Sequence, residues 1–401
     1  MIPVSDLLVG VEDDESGGAG ADGAASEQSL APDRSQPVVV WHVTGANNLD
    51  PEYGYDTAGP GHGDGELTTG EATAVIDDLA GYGVAAIRFA GGEPLLRDDL
   101  ETLIERASEA GLRTELSTNG TLLTDERAGS LRDAGLDDVD VVIDGLPDHH
   151  DELVGREGAF DDALDGIQAG QDAGLDPGVR FTLTETNATD MEELVDMLAL
   201  QGVERFRFHH LEYSTQDDEL MELDVDHDAQ RRAVRRVCDI TLDAHDRGHD
   251  VETLLDGNWA DTGYIYQYAR EELSEDRAAA IRERLASVGG DPAGDRLADI
   301  DYQGNVHLTP YWQSYSLGNV RDRPFSAIWE DESNPLLAKL RDRKEHVPDR
   351  CPNCEYYAMC RGGSRHRALA AEGDVWARDP QCYLTDEEIG LDADTSPSSA
   401  D

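Results

Sequence analysis

The sequence predicts an α/β protein: a partial (βα)6 TIM-like barrel, followed by a small cysteine-bearing domain near the C-terminus. Two observations predict this fold. Short apolar, β-branched runs alternate with stretches of helical periodicity from about residue 38 to residue 211. Four of the five cysteines lie between residues 351 and 382. Strand-helix repeats of this length form right-handed βα units and a parallel sheet.

Six runs are predicted to be strands, and the first five are each followed by a predicted helix. The strands are expected at Val38–Thr44, Ala85–Ala90, Arg113–Thr118, Val139–Ile143, Gly178–Thr184 and Arg205–Leu211. The helices are expected at Thr68–Tyr82, Asp98–Ala110, Asp125–Ala134, Ala159–Ala173 and Asp190–Leu200.

Parallel sheets place ligand sites at the carboxyl ends of their strands, so the residues that follow each strand are candidates. In strand order they are Gly91, Gly92, Glu93 and Pro94, then Ser117 to Gly120, Asp144 and Gly145, Glu185 to Asn187, and His209 and His210. Taken singly, the glycine and Asn-Gly pairs are common turns, and the outward histidine of the last pair is a packed side chain. Together and in strand order they indicate a site.

Cys351, Cys354, Cys360 and Cys382 form a C-x2-C-x5-C-x21-C array. Four thiolates in a chain with the composition of a cytoplasmic protein favour a metal site, and a 4Fe-4S cluster requires four. A structural zinc ion or two disulfides are the alternatives. Cys238 lies apart, in a predicted helix at Ala229–Ala244, and is expected to be a buried, inert thiol.

The chain has 86 acidic and 32 basic side chains and a formal net charge of -54. Molar salt shortens the Debye length to about 3 Å and screens the resulting self-repulsion. The acid is spread over the whole length, as in proteins of halophiles, so we expect a salt-rich cytoplasm. It argues against a nucleic-acid partner, because phosphate contacts need clustered Lys and Arg.

No apolar run approaches the roughly 18 residues that a membrane span needs, so no membrane role is expected. We expect disordered tails at residues 1–35 and 391–401; the first of these is acidic and rich in Gly, Ala and Ser. Between them we expect a barrel at residues 36–215, a helical connector at 216–300 and a cluster-binding domain at 301–390.

From Val38 to Tyr383 the sequence resembles the radical S-adenosylmethionine (SAM) superfamily, specifically its members with a C-terminal SPASM domain. The resemblance rests on IRFAGGEPLLRDDLETLIERASEAGLRTELSTNGT at Ile87–Thr121, VVIDG at Val141–Gly145, SLGNV at Ser316–Val320 and CPNCEYYAMCRGG from Cys351. It implies that Gly91, Gly92, Glu93, Pro94, Ser117 and Asn119 outline a SAM pocket. It also implies that the four clustered cysteines hold an auxiliary 4Fe-4S cluster.

One loop departs from the family pattern. Where the family has C-x3-C-x2-C after the first strand, this chain has Asn47, Pro51 and Gly54, in a register fixed by Trp41 and Tyr55. None of the three supplies a thiolate, so the cluster that binds and reduces SAM in the family lacks its ligands. His42, His62 or Asp50 could instead bind a metal at this loop, although His42 is better interpreted as a packed strand residue.

The SPASM region also lacks cysteines that the family pattern has. Residues 301–320 contain no cysteine, and Ser364 stands where a further ligand of the first auxiliary cluster would be. The remaining cysteines match the full ligand set of the second auxiliary cluster, so we expect one 4Fe-4S cluster per chain.

These departures predict a pseudoenzyme with a vestigial SAM pocket and no catalytic residues of its own. Such a protein would serve as a partner or substrate-binding subunit in peptide modification or in haem or cofactor maturation. An active radical SAM enzyme, a redox protein or a peptide substrate is the expected partner. The alternative is an active enzyme of altered chemistry, which uses the retained SAM pocket or the remaining cluster for electron transfer.

Overall fold

The structure is a computed structural model that describes residues 1–10, 35–53, 65–213 and 218–391. By their contacts, the described residues form two compact units. We call residues 35–53, 65–213, 218–224 and 292–341 the sheet unit. Residues 1–10, 225–291 and 342–391 form the cysteine unit, which contains the four clustered cysteines.

The described residues contain the following strands and helices. The strands are β1 (Ile2–Pro3), β2 (Val38–Thr44), β3 (Ala86–Gly91), β4 (Arg113–Thr118), β5 (Asp138–Val142), β6 (Pro177–Leu183), β7 (Arg205–His210), β8 (Glu252–Asp256), β9 (Leu297–Ile300), β10 (Asn305–His307) and β11 (Gly318–Asn319). The helices are α1 (Val4–Leu8), α2 (Thr69–Tyr82), α3 (Leu100–Glu109), α4 (Asp125–Asp133), α5 (Pro147–Leu153), α6 (Ala159–Ala173), α7 (Met191–Ala199), α8 (Asp218–Glu222), α9 (His227–Asp246), α10 (Asp261–Glu272), α11 (Glu275–Val288), α12 (Phe325–Trp329), α13 (Pro335–Arg341), α14 (Tyr357–Cys360) and α15 (Arg365–Glu372).

The sheet unit is built on a parallel sheet with the order β7-β6-β5-β4-β3-β2-β9. β10 and β11 extend it in antiparallel fashion beyond β9. Helices follow β2 to β6, which is the expected βα repeat. The predicted α/β fold with a parallel sheet is therefore confirmed.

The two faces of the sheet differ because strand side chains alternate. One face is apolar, with Trp41 and Phe89 packed at a ring-centroid distance of 6.2 Å, and helices α3 and α6 contact strands β4 to β6. The opposite face carries ion pairs, such as Arg88 to Glu115 at 2.6 Å and Arg207 to Asp140 at 2.9 Å. Further along the same strands, this charged face lines the candidate site.

Helix boundaries follow local chemistry. Thr68 begins α2 with a capping box, in which its hydroxyl accepts the Glu71 N–H and the Glu71 carboxylate accepts the Thr68 N–H. Gly83 ends α2 in the left-handed conformation, at φ 92°. Because both signals are visible in the sequence, the predicted helix, Thr68–Tyr82, differs from the observed one by only one residue at its start.

The structure corrects three expectations about organisation. Residues 1–10, expected to be part of a disordered tail, form β1 and α1; β1 pairs with β8, and Leu7 and Leu8 are buried. The reason is their apolar sequence, IPVSDLLV. β9 lies within the expected helical connector and pairs with β2, and residues 301–341 belong to the sheet unit. Residues 11–34 and 392–401, which belong to the two expected tails, lie outside the described residues, so their expected disorder stays a prediction. The remaining expected domain bounds also stay predictions.

The cysteine unit consists mainly of helices. α9, α10 and α11 contact one another in sequence order, and α14 contacts α10 and α11. Cys238 is fully buried in α9, as expected, and burial raises the pKa of its thiol. Among the helices of the described residues, none is long and apolar enough to cross a membrane.

Candidate functional sites

The turn after β3 brings two backbones into contact. A Cβ atom on Gly92 would lie 2.1 Å from the carbonyl oxygen of Ala46, and one on Gly91 would lie 2.5 Å from that of Thr44. The Gly92 N–H donates to the Thr44 carbonyl at 3.0 Å, and the Glu93 N–H donates to the Ala46 carbonyl at 2.7 Å. Both glycines are therefore required where the turn meets the loop after β2.

The Glu93 carboxylate is fully buried and holds the turn to β4. Its oxygens accept the Leu95 N–H at 2.9 Å, the Thr118 hydroxyl at 2.7 Å and the Asn119 N–H at 2.8 Å. Burial raises the pKa of the Glu93 carboxyl, and these hydrogen bonds offset part of the rise. Glu93 thus positions the end of β4, and neither it nor Pro94 lines the adjacent cavity.

A cavity with about 850 Å³ of empty space, part of it open to solvent, lies at the carboxyl ends of the strands. Four of the six predicted pocket residues line it: Gly91, Gly92, Ser117 and Asn119. Other lining residues come from the loop after β2, from β5 to β7 and from the segment after β10: Asn47, Pro51, Tyr53, Asp144, Arg180, Thr182, His209 and Tyr311. The predicted strand-end site is thus one continuous surface.

The loop after β2 is held by amides. The Asn47 side-chain oxygen accepts the Leu49 N–H at 3.1 Å. The Asn48 amide donates to the Thr121 hydroxyl at 2.8 Å and accepts from the Asn119 amide at 2.9 Å. A 4Fe-4S cluster needs thiolates, and neither Asn47 nor Pro51 has one. This loop therefore does not fit the SAM-binding cluster of the family; the third position, Gly54, lies outside the described residues.

The alternative metal ligands do not come together among the described residues. The His42 Nε2 atom lies 3.0 Å from an oxygen of Asp299, and both side chains are buried in the sheet. Asp50 is exposed, and His62 lies outside the described residues. His42 is therefore a packed strand residue, as expected.

Asp144 supplies a buried carboxyl group to the cavity. One of its oxygens accepts the Thr182 N–H at 2.5 Å, and its own N–H donates to the His150 Nδ1 atom at 3.0 Å. Burial raises the pKa of Asp144, and Tyr53 opposes the rise. Burial also disfavours the charged form of His150, which lowers the pKa of its imidazole. Sequence reasoning missed Tyr53, whose only signal was its place in the departing loop.

Arg180, His209 and Tyr311 form a hydrogen-bonded chain on the cavity wall. The Arg180 guanidinium donates to the Tyr311 hydroxyl at 3.1 Å, and that hydroxyl lies 3.2 Å from the His209 Nε2 atom. His209 was a sequence candidate. Strand alternation could have placed Arg180 on this face, but nothing local indicates Tyr311, which lies in an irregular segment.

In the cysteine unit, Cys351, Cys354, Cys360 and Cys382 line one pocket with about 470 Å³ of empty space, part of it open to solvent. The Tyr356 N–H lies 3.3 Å from the Cys354 sulfur. Within the described ranges, no three His, Cys, Asp or Glu side chains are grouped so that they could hold a single metal ion. Four cysteines around one pocket are the donor set of a 4Fe-4S cluster, so these residues fit that group.

Two arginines, Arg350 and Arg378, line this pocket. Arg350 donates to the Cys382 sulfur at 3.4 Å. Arg367 is fully buried and forms two hydrogen bonds of 2.9 Å with Asp379. Arg365 is also fully buried and donates to backbone carbonyls, including that of Ala377 at 2.7 Å. The Arg350 charge beside the Cys382 sulfur favours a negatively charged thiolate cluster in the pocket, whereas the Arg367 charge is neutralised by Asp379.

Comparison with known proteins identifies the family. A Radical SAM superfamily profile matches residues 53–200, and the profile of an iron-sulfur cluster-binding domain, SPASM, matches residues 292–355. The Fe-coproporphyrin III synthase of Methanosarcina barkeri (strain Fusaro / DSM 804) is 40% identical over 88% of this chain and 90% of that protein. The chain belongs to the radical SAM superfamily.

Other similar proteins agree with this placement. The pre-heme d1 synthase of Dinoroseobacter shibae (strain DSM 16493 / NCIMB 14021 / DFL 12) is 37% identical over 90% of this radical SAM protein and 89% of that one. The crystal structure of Streptococcus suis SuiB matches with a TM-score of 0.69 and 16% identity, covering 87% of this chain and 78% of that chain. The structure of anSMEcpe with bound AdoMet matches with a TM-score of 0.67 and 16% identity, covering 86% and 90%. The structural matches establish the fold alone.

The comparison overturns the expectation that this radical SAM protein is a pseudoenzyme. Its relatives bear the names of enzymes: two are the synthases above, and a third is the PqqA peptide cyclase of Rhizobium meliloti (strain 1021), 27% identical over 79% of this chain and 79% of that one. The error came from treating the lost thiolates as a loss of all activity. The cavity beside this loop has a polar lining that includes Ser117, Asn119 and Asp144.

Proposed function

We propose that this radical SAM protein is an active enzyme of tetrapyrrole metabolism whose strand-end cavity binds SAM together with a carboxylated tetrapyrrole. Three relatives support the substrate class by name: the Fe-coproporphyrin III synthase, the pre-heme d1 synthase and an AdoMet-dependent heme synthase 29% identical over 86% of this chain. The 40% identity over nearly the whole chain is the observation that carries the proposal.

SAM would occupy the part of the cavity formed by the turn after β3 and the end of β4. Gly91 and Gly92 line this part of the cavity, and their missing Cβ atoms let the loop after β2 lie directly against the turn. Ser117 and Asn119 add polar groups, and the Asn119 amide is already oriented by Asn48 at 2.9 Å. Glu93 acts behind this surface by holding the Asn119 N–H in place.

The reaction would not use a cluster at the loop after β2, since Asn47 and Pro51 supply no thiolate to hold one. Cys351, Cys354, Cys360 and Cys382 would hold one 4Fe-4S cluster. Such a cluster supplies single electrons when bound. The active-enzyme alternative, with a retained SAM pocket and altered chemistry, is therefore the form of activity that we propose.

Asp144 would move a proton in this cavity. Its carboxyl lines the space, and burial raises its pKa above the ordinary value for aspartate, which makes this carboxylate a better proton acceptor than an exposed one. The Thr182 N–H at 2.5 Å fixes one of its oxygens. Proton transfer to or from a substrate group in the cavity is the chemistry that this arrangement supports.

The proposal is tested by turnover and binding. Anaerobically reconstituted protein in high salt is incubated with SAM, a reductant and either coproporphyrin III or its iron complex, and the tetrapyrroles are analysed by mass spectrometry. We expect one of them to bind and to change mass only when SAM is present. Asp144→Asn should bind the tetrapyrrole but lose turnover. Failure of both tetrapyrroles to bind the wild-type protein, seen as unchanged absorbance spectra, would refute the proposal.

A further inference from the structure

The chain Arg180, Tyr311 and His209 has a defined proton arrangement. The His209 Nδ1 atom lies 2.6 Å from the His210 carbonyl oxygen. A carbonyl only accepts, so the His209 Nδ1 atom donates to it. With Nε2 unprotonated, the Tyr311 hydroxyl donates to Nε2 at 3.2 Å, and its oxygen accepts from Arg180 at 3.1 Å.

Arg180 lies on the charged face of the sheet, in register with Arg207 of the neighbouring strand. On this face Arg88 contacts Glu115, and Arg207 contacts Asp140. Arg180, unlike Arg88 and Arg207, lines the cavity. In a chain with a net charge of -54, an arginine directed to a ligand cavity makes that part of the wall attractive to an anion.

The Arg180 guanidinium and the Tyr311 hydroxyl together suit a carboxylate ligand. A guanidinium presents a planar fork of N–H donors that matches the two oxygens of a carboxylate. The Tyr311 ring packs against the His209 ring, with centroids 5.5 Å apart, which fixes its hydroxyl beside the fork. A carboxylate on this wall would meet the guanidinium, with the hydroxyl as a second, adjacent donor.

We propose that Arg180, with Tyr311 held by His209, binds a side-chain carboxylate of the tetrapyrrole substrate. This assignment rests on the proposed function and adds to it the group by which the substrate is recognised. SAM also carries a carboxylate, so both SAM and the tetrapyrrole are sources of a carboxylate for this arginine. The assignment is to the tetrapyrrole, because the SAM-facing residues Gly91, Gly92, Ser117 and Asn119 come from β3 and β4, whereas Arg180 and His209 come from β6 and β7.

The test compares acid and ester forms of one ligand. Iron-coproporphyrin III and its tetramethyl ester are titrated into wild-type and Arg180→Gln protein in detergent-containing buffer, and binding is followed by absorbance. Because hydrogen bonds to charged groups contribute about 1.5–3 kcal/mol, Arg180→Gln should weaken binding of the acid about 10- to 100-fold. Binding of the ester should change less than about 2-fold. Tyr311→Phe should show a smaller loss, again confined to the acid.

Controls separate this assignment from a structural effect and from the proposed function. Arg106→Gln removes one positive charge from an exposed ion pair with Asp77 and should bind like the wild type. Equal losses for acid and ester in Arg180→Gln would overturn the assignment, as would unchanged acid binding. Weaker SAM binding by calorimetry with intact acid binding would assign the arginine to SAM and overturn it too. If neither form binds the wild-type protein, the proposed function fails together with the assignment.

Discussion

Replacing Gly92 with alanine tests whether the turn after β3 holds the cavity together. The new Cβ atom would lie 2.1 Å from the Ala46 carbonyl oxygen and 2.6 Å from its carbonyl carbon. Backbone must move, and overpacking of this kind costs about 1–3 kcal/mol. The shift would also weaken the 2.7 Å bond from the Glu93 N–H to the Ala46 carbonyl, worth about 1 kcal/mol. Alanine also lowers the conformational entropy of the unfolded chain, which offsets about 0.4–1 kcal/mol of this loss.

The net expectation is a loss of about 2–3 kcal/mol in the free energy of unfolding. Urea unfolding in high salt, followed by circular dichroism, measures it. Gly70→Ala is the matched control: it lies in α2 with nothing within 4 Å of the added Cβ, so it should stabilise the protein by about 0.5–1 kcal/mol. SAM affinity should fall for Gly92→Ala alone. Equal stability of the two variants would refute the close-approach argument.

Two further predictions concern the cysteine pocket and the charged sheet face. Cys382→Ser should abolish iron binding as completely as Cys354→Ser, measured as iron per chain after reconstitution, although Cys382 is distant in sequence; retained iron would exclude it as a ligand. Burial would raise the pKa of Glu115, but Arg88 and Arg207 outweigh it and lower the pKa to about 2. The stability from this depressed pKa is present above the ordinary glutamate value of about 4.3 and is lost as the pH falls toward 2. Glu115→Gln should flatten that part of the stability profile in acid titrations, and an unchanged slope would contradict the ion-pair account.

Much of the parallel sheet is predictable because most of its strands are local runs of apolar and β-branched residues. Val38–Thr44 and Arg113–Thr118 match the observed strands residue for residue, and the first is apolar at nearly every position because both of its faces are buried. β9, by contrast, has four residues, one of them Asp299. Its pairing with β2 joins segments more than 250 residues apart, which no local pattern encodes.

The site was predictable in outline but not in the roles of its residues. Strand order brought Gly91 and Asn119 to one cavity, as expected from the geometry of parallel sheets. The same reasoning treated Glu93 as a ligand contact, whereas its carboxylate is buried and bonds backbone and hydroxyl groups. Tyr311 enters the cavity from an irregular segment, so its role depends on tertiary packing alone.

The central claim is that this radical SAM protein turns over a tetrapyrrole without a cluster at the loop after β2. One chromatographic run with mass detection, on wild-type protein incubated with SAM, reductant and iron-coproporphyrin III or coproporphyrin III, quantifies the tetrapyrrole product and 5'-deoxyadenosine together. We predict a tetrapyrrole product that forms only when SAM is bound, with the electrons supplied by the added reductant, SAM recovered intact and no 5'-deoxyadenosine. We expect 5'-deoxyadenosine only after Asn47, Pro51 and Gly54 are all replaced by cysteine. Formation of 5'-deoxyadenosine by the wild-type protein, or the absence of any tetrapyrrole product, would contradict the account.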